Sequence, residues 1–103
     1  MKKYKVIWDT FAKASLKSIV EYIKEDSPSA AQKVKSELLK LAKSLNDKPN
    51  RFSKEPYLAD REGNYRSVSK WSYKIIYKVT ETQVYILDIF HTRKDPSEIE
   101  ELD

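Results

Sequence analysis

The amino-acid sequence predicts an α+β domain of order β-α-α-β-β-β, an N-terminal helical hairpin packed on a mostly antiparallel four-stranded sheet. Three observations carry this reading. Tyr4, Val6 and Trp8 alternate with Lys5, Ile7 and Asp9, the period of a strand. Between Thr10 and Leu45, apolar residues recur at three- and four-residue spacing in two blocks separated by Asp26-Ser27-Pro28, the period of helices. From Asn64 to His91 the alternation returns in three short runs. Strands and helices segregated along the chain in this way give an α+β arrangement.

Each element has local support. Thr10 is the predicted N-cap of the first helix, whose stripe is Ala12, Leu16, Ile19, Val20 and Ile23. Ser27 caps the second helix with Pro28 at its first position, where a missing N–H is harmless. Its stripe is Ala31, Val34, Leu38, Leu41, Ala42 and Leu45, and it stops before Pro49. The outer faces of both helices are rich in lysine, and the apolar stripes lack the bulky aromatics of a membrane-binding or calmodulin-type helix. Residues 46–63 hold Pro49, Pro56 and the only glycine. A coil of that length packs over the sheet, anchored by Phe52, Tyr57 and Leu58, with Arg51, Lys54 and Arg61 projecting from it. The remaining strands are predicted at 64–69, 73–79 and 84–91. Their turns fall at Lys70-Trp71-Ser72 and around Glu81-Thr82.

The totals narrow the function. The 103 residues suffice for one domain, predicted over 1–96, with an acidic tail over 97–103. There is no cysteine and one histidine, so disulfides, thiolate metal sites and a His-based zinc site are not expected, and no cofactor is called for. MKKYKVIWDTF has the lysines of a secretory leader without its apolar core. No apolar run approaches the roughly 20 residues that span a bilayer. A cytoplasmic protein without membrane association is the expectation. Residues 1–94 hold 20 basic and 11 acidic side chains, a net of +9, whereas the last nine hold five acids and no base. A basic body favours nucleic acid or an acidic protein partner. The tail is expected to be a solvated end rather than a flap over the basic surface.

Strand parity locates a candidate site. With a three-residue first turn, Val68 faces Lys74 and Arg66 faces Ile76; with the second turn on Glu81-Thr82, Lys74 faces Ile89 and Tyr77 faces Ile86. One face then collects Tyr65, Tyr73, Ile75, Tyr77, Val79, Val84, Ile86 and Phe90, which suits the helices. The other collects Arg66, Lys74, His91 and Arg93 on an apolar floor, with Arg66, Lys74 and His91 within reach of one phosphate group. The alternative is the ordinary decoration of an exposed sheet face by Lys and Arg. Trp71, at the hairpin tip, is expected to fold back onto the loop holding Tyr57; the alternative is to stack on a base or enter a partner.

The element order, DSPSAA between the helices, then NYR, WSYKIIYKV and ILDIFHTRKDP resemble the RelE/ParE superfamily, the toxins of bacterial type II toxin–antitoxin modules, often labelled plasmid stabilisation proteins. The resemblance runs from about Tyr4 to Pro96. It implies a cognate antitoxin, a small acidic protein that wraps the toxin, and one of two activities. ParE-like members bind DNA gyrase and poison it without a catalytic centre. RelE-like members cut mRNA on the ribosome by 2′-hydroxyl attack on the adjacent phosphate. In that second case the resemblance implies His91 as general acid or base, with Arg66, Lys74 and Arg93 stabilising the developing charge. Arg51, Lys54, Arg61, Trp71 and Lys94 are the candidates for contacts with a partner or nucleic acid. Lys74 stands where the cutting branch has arginine, and Ile99 lies near where that branch has a tyrosine. The H-x-R-K-D-P ending resembles the ParE side, which sets the expected function as a ParE-like gyrase inhibitor. The alternatives are the ribosome-dependent nuclease, a degenerate toxin and a nucleic-acid-binding accessory protein.

Overall fold

A computed structural model describes residues 3–102. Strand β1 (Lys5–Trp8) leads into helices α1 (Thr10–Asp26) and α2 (Pro28–Ser44), followed by strands β2 (Asn64–Lys70), β3 (Tyr73–Val79) and β4 (Gln83–His91). Short 3-10 turns lie at Pro49–Arg51, Pro56–Leu58 and Pro96–Glu101. The sheet order is β1-β4-β3-β2. β1 runs parallel to β4, and the other pairs are antiparallel. The predicted α+β architecture and element order are those observed.

The helix boundaries follow from their caps. Ser27 accepts a hydrogen bond from the Ala30 N–H at 3.2 Å and Pro28 opens α2, as the sequence predicts. At α1 the cap lies one residue earlier than predicted: Asp9 occupies it in extended conformation and Thr10 is the first helical residue. The helices cover one sheet face with Ala12, Leu16, Leu38, Ala42 and Leu45, against Ile75, Tyr77, Val79, Val84, Ile86 and Ile89. Burying each large aliphatic side chain contributes about 1.5–3 kcal/mol. A second cluster, Leu58, Tyr65, Ile76, Leu87, Phe90, Ile99 and Leu102, forms on the opposite face. Irregular segments close it. Residues 53–55 hydrogen-bond along the β2 edge, through Ser67 N–H to Ser53 O and Glu55 N–H to Tyr65 O. The C-terminal turn inserts Ile99, which is fully buried, and Leu102. The expected solvated tail is therefore a packed element. Its two apolar side chains decide its place, and Glu98, Glu100 and Glu101 are exposed.

The register departs from the parity reading in two places. The first turn contains two residues, Trp71 and Ser72, because Lys70 and Tyr73 pair. That one-residue difference puts Arg66 opposite Tyr77 instead of Ile76 and turns the alternating side chains of β2 to the other face. In β4 the predicted Tyr77–Ile86 pair is present, but a bulge follows and Lys74 faces Phe90 instead of Ile89. Tyr65 and Phe90 accordingly leave the helix-covered side, and Ile89 joins it.

Candidate functional site

The four expected catalytic side chains do not converge. Arg66 lies in β2 opposite Tyr77, and His91 ends β4 opposite Tyr73, both on the helix-covered side of the sheet. Lys74 pairs with Ser69 and Phe90 on the other side. The shared basic face is thus overturned by the register.

Three of these residues have local side-chain partners. The Lys74 ammonium sits 2.8 Å from Glu55 Oε1, and Glu55 is fully buried. The other Glu55 oxygen accepts from the Tyr57 N–H at 2.9 Å and caps the Pro56–Leu58 turn. The pair fastens the long connection to the sheet. The Arg66 Nε–H donates to Asn64 Oδ1 at 3.0 Å, and its Nη1 donates to the Phe52 carbonyl at 2.6 Å. His91 accepts the Arg93 N–H on Nδ1 at 3.1 Å, leaving the proton of the neutral ring on Nε2. Its ring meets Tyr73 edge to face at 5.2 Å. Arg93 is exposed beyond the strand.

Among the expected contact residues, two arginines serve the backbone. Arg51 donates to the carbonyls of Ser44, Asp47 and Lys48 and to Ser44 Oγ, closing the C-terminus of α2, and lies over Phe52 at 4.5 Å. Carbonyls at a helix C-terminus carry partial negative charge, so a guanidinium is well placed there. Arg61 donates to the Leu102 and Glu100 carbonyls and fixes the C-terminal turn. Lys54 is exposed, with its backbone bridging to Arg66. Lys94 is exposed, 5.8 Å from the Phe90 ring centroid. Trp71 does not fold back onto the Tyr57 loop as expected: it stands 53% exposed at the hairpin tip with φ of 55°. Lys70 lies 5.1 Å from its ring and pairs with Glu37 of α2 at 3.5 Å.

Buried titratable groups add what the motifs did not indicate. The Tyr77 hydroxyl donates to the Pro49 carbonyl at 2.6 Å, and burial pushes its pKa up to about 12 against the pull of Arg66 and Arg51. Asp88 is 2% exposed. Burial raises its pKa, and the Ser15 hydroxyl, the Ile89 backbone and Lys94 oppose the rise. The sequence signals for the missed residues are modest: Glu55 precedes the proline that opens a turn, and Asp88 is a lone acid in the apolar run ILDIF.

A groove runs along the helical hairpin beside β1. Trp8, Leu16, Val20 and Leu39 line a space of about 380 Å³, flanked by Lys13, Lys17 and Lys35 with Glu21 as the acid. Among the described residues no cluster of three or more His, Cys, Asp or Glu side chains can hold a metal ion. No described helix is long and apolar enough to cross a membrane.

The architecture is that of a solved chain from the chromosomal ParDE TA system of P. aeruginosa. That chain is 22% identical, with a TM-score of 0.70, and the match covers 86% of the present chain and 96% of that one. The likeness defines the class as a small α+β fold with a helical hairpin on a four-stranded sheet. The chain belongs to the ParE toxins of type II toxin–antitoxin systems, parDE, whose family model matches residues 6–96. It is the toxin component of such a system. No curated protein sequence matches it.

Proposed function

We propose that this toxin is a ParE-like inhibitor of DNA gyrase that acts in the cytoplasm by binding rather than by catalysis and is neutralised by a cognate antitoxin. The observation that carries the reading is the division of the expected RNA-cutting set across the sheet. Cleavage by a 2′-hydroxyl needs a base and cations around one phosphate. Here Lys74 lies on the opposite face from Arg66 and His91 and is engaged by the buried Glu55. The Arg66 guanidinium is engaged by Asn64 and the Phe52 carbonyl. The exposed cations Arg93 and Lys94, beyond β4, remain available for a protein surface.

The hairpin groove supports the antitoxin half of the proposal. An apolar floor of Trp8, Leu16, Val20 and Leu39 between Lys13, Lys17 and Lys35 complements an acidic amphipathic segment, whose apolar side chains fill the floor while its carboxylates meet the lysines.

Brief induction without the antitoxin tests the target. Plasmid that loses supercoiling or is cleaved, with intact transcripts, is the expected result. New in-frame mRNA ends that vanish in His91→Ala and Arg66→Ala would establish the nuclease instead. Normal growth with neither effect would indicate a degenerate toxin.

A further inference from the structure

β1 pairs with β4 only as far as Ile86, so the flank of β4 beyond that point is closed by the first turn of α1 and the C-terminal turn rather than by a strand. A cavity of about 680 Å³ opens there, within the size range of ligand sites. Its chemistry is opposite to that of the rest of the surface. Asp9, Asp88, Glu98 and Glu101 line it, with Lys94 as the lining base, although residues 1–94 carry a net charge of +9.

An acidic cluster alone is an ordinary surface feature; Asp88 adds more. It is 2% exposed, its Oδ1 has no hydrogen-bond partner, and it makes no ion pair among the described residues. Burial and, least of the causes, Asp9 push its pKa up, against the Ser15 hydroxyl, the Ile89 backbone and Lys94. No cation among the described residues pairs with it directly, and a buried carboxylate gains most from such a partner. The absence of a metal-capable cluster among the described residues makes an organic cation the fitting ligand. Phe11 and Phe90 also line the cavity. Aromatic faces beside a carboxylate suit a guanidinium, which is planar, weakly hydrated and able to stack, better than an ammonium. Phe11 is 55% exposed, as a hydrophobic anchor at a protein interface is, which favours a protein-borne cation over a free one.

We propose that this pocket receives the guanidinium of an arginine side chain presented by a partner protein, with Asp88 as the buried anion and Phe11 as the stacking wall. The site is separate from the hairpin groove, and the proposal holds whatever the toxin's target.

Amide NMR titration of the full chain with the capped tripeptide Gly-Arg-Gly tests it, with the citrulline and lysine analogues as probes of charge and shape. Saturable shifts at Thr10, Phe11, Asp88 and Leu102, no response to citrulline and weaker binding of lysine are expected. Asp88→Asn, which keeps the side-chain shape, should weaken binding about tenfold, as loss of a charge-assisted contact does. Lys94→Gln should tighten it by removing the competing cation. If Asp88→Asn disturbs the fold, Glu98→Gln with Glu101→Gln on the exposed rim replaces it and should weaken binding severalfold. Absence of saturable shifts, equal binding of citrulline, or unchanged affinity in the folded Asp88→Asn protein or the rim variant would overturn the site. Equal binding of lysine would overturn its assignment to guanidinium.

Discussion

The two faces of the sheet are closed by different means. Two regular helices, whose backbone groups are satisfied internally, cover one face with Leu38, Ala42 and Leu45, all fully buried. The other is closed by the 46–63 connection and the C-terminal turn, which leave amides and carbonyls in need of partners. Side chains supply them. Arg61 holds the Glu100 and Leu102 carbonyls, and Glu55 caps a turn while pairing with Lys74. Where the same connection starts out on the helix-covered side, Arg66 reaches the Phe52 carbonyl. The lesson concerns charge. Much of the arginine in the second half of the chain, which composition associates with a polyanion, holds irregular backbone in place.

The largest expected effect tests that tie directly. Lys74→Ala would leave Glu55 as an unpaired charge in a fully buried position, and breaking such a pair costs about 3–5 kcal/mol. Urea denaturation at neutral pH measures it. Lys74→Met combined with Glu55→Gln should recover much of the loss, because the buried charge goes with its partner. A cost under about 1 kcal/mol, typical of exposed pairs, would refute the structural tie and return Lys74 to the candidates for substrate contact.

Ile99→Ala follows. A fully buried aliphatic side chain truncated to alanine costs about 2–5 kcal/mol, and the matching change on the helix-covered face, Leu38→Ala, falls in the same range. If the C-terminal turn were the solvated tail that its acids suggest, Ile99→Ala would fall within about 0.5 kcal/mol of the parent, as ordinary surface changes do.

The contrast in what the sequence disclosed follows the same division. Element order, both helices and the Ser27-Pro28 cap were legible, because helical periodicity and capping are local properties carried by particular residues. The face of each strand was not. A turn one residue shorter than predicted reverses β2, and the bulge around Leu87 displaces the second half of β4. Both are single-residue events that leave the apolar pattern unchanged. The candidate site depended entirely on that parity, so Arg66 and Lys74 separated while the fold itself stood. The tail was misread for a related reason: five acids outweighed Ile99 and Leu102 in the composition, although two buried side chains suffice to seat a short turn.

A smaller effect distinguishes Asp88 from the other buried carboxylate. Its folded pKa is raised, chiefly by burial, above an ordinary aspartate value of about 3.9. The sign follows from linkage: the stability tied to its protonated form is full below the unfolded pKa and is lost as pH rises through the elevated folded value. Asp88→Asn, neutral at every pH, should therefore gain stability relative to the parent as pH rises across that window, and the two should converge in acid. Paired urea titrations across pH measure the difference. A variant that loses stability at neutral pH would show that the Asp88 carboxylate is satisfied in the free protein.

The smallest effect concerns Trp71, which sits in the exposed turn between β2 and β3 and belongs to neither cluster. Its φ of 55° lies in the left-handed region, where a bulky residue is disfavoured and glycine is not. Holding a non-glycine residue there costs on the order of 1 kcal/mol, and the exposed ring recovers little by packing. Trp71→Gly should accordingly leave stability unchanged or raise it by up to about 1 kcal/mol, the lower figure applying if the added freedom of the unfolded chain offsets the relief. The Ser72 carbonyl accepts from the Thr92 N–H at 2.8 Å, which holds the turn to the chain beyond β4 without the indole. Loss of stability on this substitution would make Trp71 a packing residue after all. Retained stability with loss of growth inhibition would instead identify the tip as a contact with the target, since strain kept at an exposed aromatic needs a use outside the folded chain.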